Sequence, residues 1–204
     1  MLFRSEEKGD DGLAPSRVGL GRAVRLHPDK YRAVIVMPQC RMDDSWSSDK
    51  MHAQALAALD ASSREFHGDP QRTYLTGFSM GGYGTWSIAA KYPERFAALV
   101  VVCGGIRWPP SVPPPSVDPP ADNSYTRTAR SVARIPIWMF HGDADRNVAV
   151  TESRAMAAAL KALKVEVKYT EYAGAAHSIW DRVYDESGLP AWLFSQRLKA
   201  VPAR

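Results

Sequence analysis

From residue 33 onward, short apolar runs alternate with segments of helical periodicity. Residues 33–37 are an apolar run closed by Pro38, the signature of a strand. Residues 49–65 are rich in Ala and Leu and are followed by Gly68 and Pro70, so they predict a helix. Residues 73–76 are β-branched and aromatic and run into Gly77; residues 83–91 then read as a helix that stops before Pro93. Residues 97–102 and 135–140 are apolar without alternation, as in strands covered on both faces of a parallel sheet. Met156, Leu160 and Leu163 mark one face of the next helix. Val165, Val167 and Tyr169 alternate with Glu166, Lys168 and Thr170, which suggests a strand near a sheet edge.

Strand and helix in alternation predict an α/β protein with a mostly parallel sheet and helices on both faces. Ligands in such sheets bind beyond the carboxyl ends of the strands. One segment breaks the rhythm. Residues 108–120 hold seven prolines and read as a stiff surface loop beside the site.

At 204 residues the chain makes one domain, spanning 1–204, with a sizeable core. No stretch approaches the roughly 20 apolar residues of a membrane span. No basic-then-apolar leader stands at the amino end, so the default expectation is a cytoplasmic protein without membrane partners, although an incomplete amino end leaves a lost signal peptide open. The net charge is +4 with a pI near 9.1. Its Arg and Lys residues are scattered and form no dense run, so a solvated basic surface is expected and a nucleic-acid partner is not. Cys40 and Cys103 lack metal-type spacing and read as small buried hydrophobes.

Gly77-Phe78-Ser79-Met80-Gly81 is a Gly-x-Ser-x-Gly pentapeptide between a predicted strand and a predicted helix. A serine on that sharp turn projects its hydroxyl, and the amide of Met80 at the helix start faces the place where an oxyanion would form. A serine needs a base held in the right tautomer. Of five histidines, His27, His52 and His67 precede Ser79, against the order Ser, acid, His of this arrangement. His141 closes a predicted strand and is expected to pack against a neighbouring loop. His177, in a loop after the last strand, remains as the base. Asp143 and Asp145 both follow the 135–140 strand; Asp145 lies deeper in the loop and is the favoured acid, while Asp143 would brace the loop.

Phe78 to Trp86, Pro93-Glu94-Arg95-Phe96, Cys103-Gly104-Gly105, Pro136 to Gly142 and Tyr172 to Trp180 together resemble the α/β-hydrolase superfamily. The nearest branch holds dienelactone-hydrolase-like carboxylesterases, feruloyl esterases and polyhydroxybutyrate-depolymerase-like enzymes. The resemblance implies the three-layer α/β-hydrolase fold, a Ser79–His177–Asp145 triad, and hydrolysis of a small-molecule ester through an acyl-enzyme, without metal or organic cofactor. It is interrupted at the amino end. Phe3 and Arg4 stand where the branch carries His-Gly, so its N-terminal strands are reduced or missing, including most of a central one. A short strand over residues 1–5, a neighbouring strand, or a second copy of the chain would cover the exposed edge. The second oxyanion donor then falls to a backbone amide near Ser5 or Glu6; losing such a donor costs about 2.7–4 kcal/mol of transition-state stabilisation.

Two functions follow. One is a serine carboxylesterase for short-chain or aromatic esters, with Gln39, Trp46, Tyr83, Ile106, Trp108 and Trp180 as candidate pocket residues, each also a candidate for core packing or loop capping. The other is a shortened, catalytically impaired relative that binds ligands or is an incomplete gene product. Peptidase activity would bring a gating domain, of which the sequence gives no sign.

Overall fold

The computed structural model describes residues 1–2, 4–107 and 124–198. Four strands, β1 (Tyr74–Phe78), β2 (Ala98–Val102), β3 (Ile137–Gly142) and β4 (Val167–Tyr172), form one sheet in the order β1-β2-β3-β4, with every pair parallel. Parallel neighbours need crossovers. These are α3 (Met80–Lys91), α4 (Ser124–Ser131) and α5 (Thr151–Ala162), while α1 (Leu20–Leu26) and α2 (Asp49–Glu65) precede the sheet and α6 (Trp180–Tyr184) and α7 (Leu189–Ser195) follow it.

The period-two geometry of a strand splits the apolar runs between two faces. Leu75, Leu99, Val101, Ile137 and Met139 pack with Met51 of α2, Trp86 and Ile88 of α3 and Met156 and Leu160 of α5. Phe78, Val100, Val102 and Phe140 face the opposite layer, with Leu20 and Ala23 of α1, Trp180 and Val183 of α6 and Leu189 of α7. β2 is buried at every position, which explains why its sequence does not alternate. β4, at the edge, is only partly buried. The three layers are those of an α/β fold. Among the described residues no helix is long and apolar enough to cross a membrane.

Several boundaries differ from those expected. Helix α3 starts at Met80 rather than residue 83: Gly81 and Gly82 are poor helix formers, and close packing against Gly104 requires the glycine at 82. Val165 lies outside β4: its amide bonds the Leu160 carbonyl at 3.0 Å and closes α5 after Lys164 takes φ 58°. Residues 33–37 make no strand. A strand exists only with a partner, and among the described residues Met1 and Leu2 stand between this segment and β1. The Met1 amino group bonds the Val36 carbonyl at 2.7 Å, and Leu2 makes a single parallel bridge to Gly77. Among the described residues of this end, Leu2 supplies one bridge, and Ser5–Glu7 is a 3-10 turn. Beyond Leu2 the gap is a cavity of about 280 Å³ lined by Ile35, Leu56, Leu75 and Phe194 among others. The proline-rich segment 108–120 lies outside the described residues.

His52 of α2 is buried, and burial pushes its imidazole below the usual histidine range. The unfolded chain therefore takes up the proton first on acidification, at about pH 6.5. Stability that is complete above that pH should fall as pH drops through it. Urea midpoints at pH 7.5 and 5.5 should separate more for the native sequence than for His52→Leu; equal separations would remove His52 as the cause.

Candidate active site

Ser79 occupies the one residue between β1 and α3, at φ 54° and ψ −124°, a left-handed conformation unfavourable for a side chain other than glycine. Its amide donates to the Val102 carbonyl at 2.9 Å, so the turn is anchored to β2 while the hydroxyl projects beyond the sheet. The flanking glycines are sterically required. A Cβ on Gly77 would lie 2.2 Å from the Gly81 carbonyl oxygen, and one on Gly82 would lie 2.6 Å from Gly104 Cα. Helix α3 presents the Met80 amide at its first position, where helix amides lack an intrahelical acceptor.

The loop after β3 carries the acid. Asp145 Oδ1 accepts from the amides of Asn147 at 2.8 Å and Val148 at 2.9 Å, which fixes the carboxylate. Its Oδ2 lies 2.6 Å from His177 Nδ1, and His177 Nε2 lies 2.8 Å from Ser79 Oγ. A carboxylate only accepts, so Nδ1 carries the proton and Nε2 offers its lone pair to the serine hydroxyl. Burial of Asp145 opposes its charge, but hydrogen bonds from His141 and His177 and from the Val148 amide outweigh it and hold the carboxyl well below the usual carboxylate range. Asp143, by contrast, is exposed and accepts from the Gly174 amide at 2.7 Å, bracing the next loop. That loop crosses so closely over Gly142 that a Cβ there would sit 2.2 Å from the Ala175 oxygen. The three chain-distant side chains thus meet at the carboxyl rim of the sheet. Ser79 is partly exposed and reachable by a ligand.

The other expected residues scatter. Trp180 is beside the site: its ring stacks on Phe78 at 4.8 Å, meets His177 edge-on at 6.1 Å, and carries the Arg4 guanidinium at 4.3 Å. Ser5 is exposed, and its hydroxyl lies 3.8 Å from the Met80 sulfur, next to the start of α3. Tyr83 is buried with its hydroxyl on the Arg107 carbonyl at 3.1 Å, and so holds the wall rather than lining the mouth. Two assignments are corrected. Trp46 is fully buried in the core, against Gly84, where a Cβ would lie 2.3 Å from Trp46 Cβ. Gln39 caps loops: its amide donates to the Glu7 carbonyl at 3.2 Å and to Asp11 at 3.0 Å, and accepts from Gly12 at 2.7 Å. Trp108 lies outside the described residues.

Glu152 was not foreseen. One carboxylate oxygen accepts from the amides of Ile106 at 2.8 Å and Arg107 at 3.0 Å, and the other from the Tyr125 hydroxyl at 2.7 Å. It pins the segment after β2 that carries Ile106, and nothing in a Thr-Glu-Ser helix start distinguishes such a brace from a surface glutamate. Glu152→Leu leaves the two amides and the Tyr125 hydroxyl without their acceptor and should cost about 2 kcal/mol. A lower Tm with a raised KM for a small ester is the expected reading; an unchanged Tm would contradict it.

Cys103, His141 and Asp145 bring ligand-type atoms within 4.8 Å of one another. They do not suit a cation. His141 Nε2 faces the Val148 carbonyl at 3.0 Å and so carries a proton, burial pushes the Cys103 thiol far up, and Asp145 Oδ2 is engaged by His177.

Comparison with known proteins bears on the fold and the family. The family described as "Dienelactone hydrolase family" matches residues 27–188. A "Probable carboxylesterase SOBER1-like" of Arabidopsis thaliana is 27% identical over 132 residues, 65% of this chain and 45% of that protein. Among solved structures, one described as a thermostable esterase superposes with a TM-score of 0.75 at 27% identity, covering 96% of this chain and 53% of that one. The acylaminoacyl peptidase of Pyrococcus horikoshii, 18% identical, shares the fold with a TM-score of 0.57 over 75% of this chain and 29% of its own. The chain spans less than half the length of the plant relative and about half that of the esterase. With the matched region covering most of its length and its sheet arranged as described, the chain belongs to the dienelactone hydrolase family of the α/β-hydrolase superfamily.

Proposed function

We propose that this protein is a serine esterase that hydrolyses short-chain or aromatic carboxylic esters through an acyl-enzyme. One observation carries the proposal: the unbroken path from Ser79 Oγ to His177 Nε2 at 2.8 Å and from His177 Nδ1 to Asp145 Oδ2 at 2.6 Å. In the first half-reaction Ser79 Oγ attacks the ester carbonyl while its proton passes to His177 Nε2. The imidazolium is stabilised by Asp145 and returns the proton to the departing alkoxide. In the second, His177 takes a proton from water, the resulting hydroxide attacks the acyl carbon, and Ser79 leaves with that proton restored. Oxyanion charge falls to the Met80 amide, with the backbone at Ser5 as the second donor.

A fluorophosphonate probe tests the nucleophile. We expect a single adduct, mapped to Ser79 by peptide mass spectrometry, together with turnover of p-nitrophenyl acetate and butyrate. No adduct on Ser79 sinks the reading. Labelling without turnover would favour the impaired relative, a reading motivated by Arg4 standing where the branch carries glycine beside the oxyanion site.

A further inference from the structure

His141 is fully buried, and the esterase reading gives it no part. Its Nε2 is hydrogen-bonded to the Val148 carbonyl at 3.0 Å and lies 3.2 Å from Asp145 Oδ2, both groups that can only accept. Nε2 must therefore carry the proton. Its Nδ1 lies 2.7 Å from the hydroxyl of Ser153, a buried residue in the first turn of α5; in a ring protonated at Nε2 alone, that hydroxyl donates to the Nδ1 lone pair. Asp145 Oδ2 thus has two imidazoles beside it, His177 Nδ1 at 2.6 Å and His141 Nε2 at 3.2 Å, while Oδ1 is held by two amides.

We propose that His141 is a positioning residue for the triad, its neutral Nε2–H, set by Ser153, holding Asp145 Oδ2 in line with His177 Nδ1. The proposal rests on the triad reading above. A second donor on Oδ2 does two things. It removes the freedom of the carboxylate to swing away from His177, and it draws negative charge from the oxygen that supports the imidazolium. The surrounding charges leave this pairing intact. On β4, Glu171 stands in register with His141 but is engaged by Arg154 of α5 and by Tyr169. Just after β2, the thiol of Cys103 donates to the His177 carbonyl at 3.4 Å and also faces Asp145.

The alternative is that His141 merely packs the loop, and pH profiles separate the two. In His141→Phe, Oδ2 loses a donor and supports a cationic His177 more strongly. The acidic limb of kcat/KM should then move to higher pH by about half a unit, with kcat down about tenfold and KM little changed. His141→Gln, whose amide can donate from the same place, should restore most of the rate. Ser153→Ala frees the tautomer and should fall between. Nitrogen-15 NMR of the unmodified protein adds a readout that depends on no variant folding, and should show His141 as the neutral Nε2–H tautomer at pH 7. A protonated Nδ1 on His141, or folded His141→Phe and Ser153→Ala proteins with the native profile, would overturn the proposal. If Ser79→Ala kept full turnover, the triad itself would be at fault; an inactive Ser79→Ala beside native-like His141 variants would discard only the positioning role.

Discussion

Replacing Ser79 by alanine is expected to lower kcat for p-nitrophenyl acetate by about 10⁶-fold, leaving only the contribution of binding and oxyanion donors. Asp145→Asn should cost about 10⁴-fold: the side chain keeps its shape, but its amide turns a donor toward His177 and favours the wrong tautomer. The two effects should not add, because each residue acts through His177, so the double variant should be no slower than Ser79→Ala. Steady-state rates with titrated enzyme check this. A kcat within tenfold of native for Ser79→Ala would mean that the hydroxyl 2.8 Å from His177 is not the attacking group.

Gly77→Ala should be among the most damaging substitutions for the fold that add one methyl group near the site. The new Cβ meets the Gly81 carbonyl oxygen at 2.2 Å and the carbonyl carbon at 2.5 Å. Both belong to the backbone of the first turn of α3, so no side chain can rotate away. Overpacking of this kind costs about 3 kcal/mol or more, a large part of the total stability of a domain. A Tm lower by on the order of 10 °C is expected. Any surviving folded protein should be inactive, since relief requires α3 to shift and to carry the Ser79 turn with it. Gly12→Ala is the control, because a Cβ there meets nothing within 4 Å, although its φ of 66° strains it mildly. Equal melting temperatures for the Gly77 and Gly12 variants would show that the elbow tolerates the methyl group.

The elbow could be read from the chain because its chemistry and sterics coincide: a serine at positive φ needs glycine on either side wherever strand meets helix at so sharp a turn. His177 was legible by order along the chain, and Asp145 by depth in its loop. The supports of these residues were not. Ser153, Glu152 and His141 are polar residues whose neighbours come from other elements, and a one-dimensional pattern carries no sign of those pairings. Trp46 fails in the opposite sense. A tryptophan in a loop looks alike whether it lines a mouth or fills a core, and only its contact with Gly84 distinguishes them. Residues 33–37 have the composition of a strand, yet composition fixes a propensity and a ladder fixes a strand. The helix pattern at 83–91 missed one turn because glycine, weak in helices, was placed there to let two backbones touch.

The thin contact of Met1 and Leu2 between residues 33–37 and β1 also governs how the molecule breathes. β2 and β3 have a neighbour on either side and release their amides only when the whole sheet comes apart. The outer margin of β1 is bound to its neighbour by a single rung, so solvent deuterium should enter at Tyr74 and along residues 33–37 well before it reaches Val100 or Met139. Opening from that flank would travel along β1 toward Ser79, making the side of the sheet farthest from β4 the first to loosen and the catalytic turn the next element to feel it.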